Sequence, residues 1–114
     1  MKLTNNLSID KLMQTYESQG FSPFQLRQIE DGLLHGLDVS IYAKKVHSYR
    51  LMHLAVHLLK ANINIEQCIT NDKLDVGMLL ETHQRSVFQG KAKSLNSLDL
   101  MLVKQYPYED QESE

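Results

Sequence analysis

The sequence predicts a compact, all-α single domain of five to seven helices. Three observations carry this expectation. Apolar residues recur every three to four positions through most of the 114-residue chain. Helix-starting residues (Ser, Asp or Asn) precede these runs, and Gly or Asn follows them at short intervals. Only five glycines and two prolines interrupt the chain, so no long linker divides it. The helical domain is expected to span residues 1–106, with 107–114 as an acidic tail.

The first helix is read from Ser8, as N-cap, to Gln19. Ile9, Leu12, Met13 and Tyr16 lie on one face, and Gly20 stands past the end. A stronger start follows. Ser22 can cap the next helix, Pro23 fits the first turn where its missing N–H costs nothing, and Gln25 holds the capping-box position. Phe21 and Leu26 occupy the two positions of a hydrophobic staple. Leu26, Ile29 and Leu33 form the buried stripe, and Gly36 stops the helix. Gly32 inside it costs roughly 1 kcal/mol against Ala, which points to a close helix–helix approach. Asp38 then caps a short helix through Ala43, although Val39, Ile41 and Tyr42 would also suit a strand.

Ser48 to Ala61 is the most apolar segment and is expected at the centre. Leu51, Leu54, Ala55, Leu58 and Leu59 cover one face, which Met52 and Val56 widen. Asn62-Ile63-Asn64 breaks this helix, and Ile65 to Ile69 makes a short further turn. Asn71 or Asp72 is then read as the start of a helix of about 16 residues that ends at Gly90. A last helix begins after Ser94, turns Leu95, Leu98, Met101 and Leu102 inward, and stops at Pro107.

Composition excludes several classes. A single Cys68 rules out an intramolecular disulfide, and no Cys/His array has zinc spacing. No apolar run approaches the ~18–20 residues that span a bilayer. The opening MKLTNNLSID lacks the apolar stretch of a secretory signal, so a cytoplasmic protein is expected. The net charge of −2 is unevenly distributed. Residues 21–60 and 87–106 are each mildly basic, 61–86 mildly acidic, and Glu109, Asp110, Glu112 and Glu114 make the end strongly acidic.

Shifting the chain by 26 positions aligns Ser22 with Ser48, Leu26 with Met52, Ile29 with Ala55 and Leu33 with Leu59. The same shift brings Leu37 to Ile63, Asp38 to Asn64 and Val39 to Ile65. Each copy reads as a capped helix, a break and a second capped turn, a degenerate helix-turn-helix-like repeat. The first copy carries Phe21, Gln25, Leu26, Ile29, Gly32, Leu33, Gly36, Leu37, Asp38, Val39, Ser40, Tyr42 and Ala43. In this pattern it resembles a short tandem helical repeat of uncharacterised proteins from phages, plasmids and conjugative elements. The resemblance is close over 21–43 and weak over 44–69, with His57 for the first glycine, Asn62 for the second and Cys68 for the tyrosine. It implies a setting on a mobile genetic element and no activity; from that setting and the small size of the chain, antagonism of a host defence nuclease in the anti-CRISPR or anti-restriction manner is expected.

The residues themselves offer little chemistry. His53 and His57 have the i,i+4 spacing of zinc ligands, but Leu54 stands where a metalloprotease places its general base. No glycine-rich phosphate loop or nucleophile elbow occurs, and Cys68 has no basic activator nearby. Neither catalysis nor a cofactor or metal is expected. Arg50, His53, His57 and Lys60 share a helix face, preceded by Lys44 and Lys45, and form the best candidate basic surface. The helix after Asp38 offers few base-reading side chains, so a DNA-binding regulator is the second reading. The first is a protein-binding module, with Glu109, Asp110, Glu112 and Glu114 steering it toward a basic partner.

Overall fold

The structure, a computed structural model, describes residues 2–109, with side chains from residue 8 onward. Among these residues, five helices follow in order: α1 (Lys2–Ser18), α2 (Pro23–Leu34), α3 (Tyr49–Lys60), α4 (Val76–Phe88) and α5 (Ser97–Gln105). Single 3₁₀ turns at Val39–Ile41 and Glu66–Cys68 follow α2 and α3, and a hairpin of β1 (Ile69–Thr70) and β2 (Lys73–Leu74) precedes α4. The architecture is thus all-α with a minimal hairpin. Helix α3 is central: Leu51, Met52, Leu54, Ala55 and Leu58 are fully buried, and α2, α4 and α5 all pack on it.

Local sequence explains the α2 entry. Ser22 Oγ accepts from the Gln25 amide at 3.1 Å, and Gln25 Oε1 accepts from the Ser22 amide at 2.8 Å, which completes the capping box. Phe21 is buried and meets Tyr16 of α1 edge-on at 5.6 Å, so the same junction fastens α1 to α2. Helix α1 itself runs back through Ser8, which is therefore not its cap. No Gly or Pro precedes Ser8 to stop it. Leu12 faces solvent, while Met13 and Tyr16 pack on the core.

The segments that start at Ser22 and Ser48 repeat one hydrogen-bond pattern at an offset of 26. Ser48 Oγ accepts from Leu51 as Ser22 does from Gln25. Both helices close in a Schellman motif. Leu37 donates to the Gly32 carbonyl and Ile63 to that of Leu58, while Gly36 and Asn62 take the left-handed conformation with φ of 71° and 64°. Asp38 Oδ1 then accepts from the Ser40 amide, and Asn64 Oδ1 from the Glu66 amide. This register sets Leu58, not His57, opposite Gly32, and Cys68 opposite Tyr42.

The two segments fill that frame differently. A Cβ on Gly32 would overlap the Tyr42 hydroxyl and lie 2.8 Å from Val39 Cγ1. Glycine therefore makes room for the tyrosine of the following turn, not for a neighbouring helix. From there the Tyr42 hydroxyl donates to the Gln28 carbonyl at 2.7 Å. In the second segment the bulk has moved to the helix: Leu58 and Cys68 are both fully buried. The element after each helix is one 3₁₀ turn, too short to act as the recognition helix of a helix-turn-helix.

Two further elements differ from the sequence reading. Asn71 and Asp72 do not start a helix. Both adopt positive φ (56° and 65°) and form the two-residue turn of the hairpin, whose twist such a turn matches. Helix α4 starts later, capped by Asp75 Oδ1 on the Met78 amide. At α5 the cap is Asn96, and Val103 is the buried residue, whereas Leu98 and Met101 face outward. Residues 107–109 are not a tail. Ser48 donates to the Pro107 carbonyl, Glu109 donates to that of Val46, and His47 and Tyr108 form an antiparallel bridge.

Candidate functional site

The expected basic surface is dispersed and largely engaged within the fold. Lys60 Nζ lies 3.0 Å from Asp31 of α2, and Lys44 Nζ lies 3.4 Å from Asp72 of the hairpin turn. Lys45 Nζ donates to the Gln19 carbonyl at 2.7 Å, at the C-terminal end of α1 where a cation is favoured. Arg50 stacks over the Tyr49 ring at 4.8 Å, and Tyr49 in turn stacks on Phe24. His57 Nε2 donates to the Lys93 carbonyl, and His53 is half-buried beside it on α3. Among the described residues, no group of three His, Cys, Asp or Glu side chains is placed to hold a metal ion. Of the expected acidic set, Glu109 sits on the bridge strand. Asp110, Glu112 and Glu114 lie outside the described residues.

A buried polar network, not signalled by any local motif, ties these segments together around His47. Its Nε2 accepts from the Leu74 amide at 2.9 Å, so Nδ1 carries the proton and donates to the Tyr42 carbonyl at 2.7 Å. Gln25 Nε2 donates to the His47 carbonyl at 2.8 Å, which links α2 to the same point. Tyr108 completes it: its hydroxyl donates to the Leu74 carbonyl and accepts from the Val76 amide. Burial holds the His47 pKa below its ordinary value. A fully buried imidazole with both nitrogens bonded to backbone is a structural part and is not free to coordinate an ion. Cys68 is likewise buried, its Sγ is 3.5 Å from Thr82 Oγ1, and desolvation raises its pKa, the opposite of an activated thiol.

Besides a depression of about 480 Å³ lined mainly by polar side chains such as Asn62, Asn64 and Gln89, an open groove of about 510 Å³ lies between α4 and α5. Leu80 and Val87 form one wall, Leu100 and Met101 the other, and Lys104 stands at the end of the second. His83 forms its floor: its Nε2 accepts from the Leu95 amide at 3.2 Å, which pins the loop between the two helices. Burial first, and the nearby His57 second, lower the His83 pKa and keep the ring neutral. On these two helices, Leu98 is 59% exposed, Met101 48% and Phe88 90%. Gln84 lines both this groove and a shallower depression beside Phe88, so the two adjoin. The sequence did carry a signal for it. Helix α5 has Leu98, Leu100, Met101, Leu102 and Val103 within six positions, more than one buried stripe can use.

Comparison with protein-family models, curated proteins and solved structures finds no match to this chain.

Proposed function

We propose that this chain is a non-enzymatic protein-binding module that docks its partner on the α4–α5 groove. The observation that supports the reading is an open, apolar-walled groove lined by half-exposed Met101, with exposed Phe88 in the depression that adjoins it. Exposed apolar surface of this kind costs solvation until a partner covers it, at roughly 25 cal/mol per Å². The DNA-binding reading gains no comparable support, because Lys44, Lys45 and Lys60 already have partners inside the fold. No helix of the described residues is long and apolar enough to cross a membrane. The cytoplasm is the compartment in which a host defence nuclease would be met, and we assign the module there. In the mobile-element setting that residues 21–43 imply, its role is to inhibit a host defence nuclease by occupying one of its surfaces.

Affinity capture from the native host after nuclease treatment tests this, with the wild-type chain beside Met101→Asp. A protein retained by the wild type and lost with Met101→Asp is the expected result. Capture that nuclease abolishes, or that Met101→Asp leaves intact, would overturn it.

A further inference from the structure

We infer that the occupant of the α4–α5 groove is an acidic amphipathic helix of the partner, about two turns of which lie between the two walls. This rests on the docking reading above and adds the chemistry of the partner. The walls are matched in length. Leu80 to Val87 on α4 and Ser97 to Lys104 on α5 are each eight residues, seven steps apart end to end or about 10 Å at the helical rise. Both walls are helices, so their amides and carbonyls are bonded along their own axes and offer no edge to an extended peptide. An occupant seated there has to bring its backbone hydrogen bonds already satisfied, which a helix does. Its apolar side chains, spaced i, i+3/i+4 and i+7, then match the wall positions. Met101 at the rim supplies an unbranched, adaptable contact.

Charge sets the other half of the pattern. Residues 76–105 carry Arg85, Lys91, Lys93 and Lys104 against Glu81 and Asp99, in a chain whose net charge is −2. Lys104 lines the groove and no carboxylate does, whereas Arg85 and Lys91 line a separate depression and Glu81 stands with Phe88 in the adjoining one. Unlike Lys44 and Lys60, Lys104 has no carboxylate partner among the described residues. A helix with Asp or Glu flanking its apolar stripe meets that cation.

Selection of a displayed random-peptide library on the full chain, counter-selected against Met101→Asp, tests the inference. Circular dichroism melting confirms that this exposed-site variant folds. The enriched peptides are expected to be helical, with apolar residues at i, i+3/i+4 and i+7 and a net negative charge. Synthetic versions should lose at least tenfold in affinity to Lys104→Glu, measured by fluorescence anisotropy, and regain it when their acids become Lys. Enriched peptides that are extended or basic, or that bind Lys104→Glu equally well, would overturn the helix inference and leave docking standing. A dimer in sedimentation that Met101→Asp dissolves would overturn it too, by making a second copy the occupant. Recovery of no peptide that depends on Met101 would overturn the docking reading itself.

Discussion

Between Phe21 and Leu74 most charged and polar side chains that the sequence offers as a surface are used inside the fold. Between Leu80 and Lys104, apolar side chains stand open to solvent beside a groove, whereas the exposed Phe24 and Leu34 of the first region line none of the depressions described above. In the first region Lys60 meets Asp31, Lys45 meets the Gln19 carbonyl, and His47 and Gln25 bind backbone groups of other segments. In the second, Val103 alone of the α5 side chains is buried, and Leu98 and Met101 project outward. The contrast teaches that a shared helical face of basic residues is weak evidence for a binding site when neighbouring segments can reach those residues. Exposed apolar residues that line a groove, as Met101 does, are the better guide to where this molecule meets a partner.

Substitutions that separate the two regions put this contrast at risk. The largest effect is expected from Leu58→Ala, which empties a fully buried site in α3 and should cost about 2–5 kcal/mol in urea denaturation. Gly32→Ala follows. The added methyl meets the Tyr42 hydroxyl and Val39, and the expected loss of about 1–3 kcal/mol runs against the higher helix propensity of Ala. Adding Tyr42→Phe should recover part of that loss, and strict additivity of the two changes would show that the contact is absent.

Acid should act on both regions at once. His47 and His83 have pKa values lowered by burial, so on acidification the unfolded chain takes up protons before the folded one. Stability is expected to be level above about pH 6.5 and to fall as the pH drops from there through the folded-state values. His47→Leu should flatten this dependence. It should also lower the plateau by about 1–3 kcal/mol, because the Leu74 amide and Tyr42 carbonyl lose their partner. A pH profile unchanged in that variant would remove His47 from the account.

Caps give a smaller effect. Ser22→Ala and Ser48→Ala should each cost about 0.5–2 kcal/mol, and a clear difference between them would break the equivalence of the two segments. Met101→Asp in the second region should change stability by no more than about 0.5 kcal/mol, since that side chain is half exposed.

What could be read from the sequence was local. Ser22 with Gln25, Ser48, Gly36 and Asn62 act within one helical turn of themselves, so their residue types suffice to place helix ends. The hairpin was hidden because Asn71-Asp72 is also a helix-start pair, and each strand has only two residues in which to show alternation. The inward face of α5 was ambiguous because its apolar residues are nearly consecutive, so any register yields a stripe. His47 could not be read at all. Its role depends on Tyr42, Leu74 and Gln25 meeting from three different segments. The basic face of α3 was visible, but the carboxylate and carbonyl groups that engage it come from α2 and from the loop before α5.

The most direct measurement is site-specific photo-crosslinking in the native host, with a photoreactive residue placed at Met101 in one variant and at Arg50 in another. The account predicts a covalent adduct to a protein from position 101 and none from position 50. An adduct from position 50 alone, or one to nucleic acid, would contradict it.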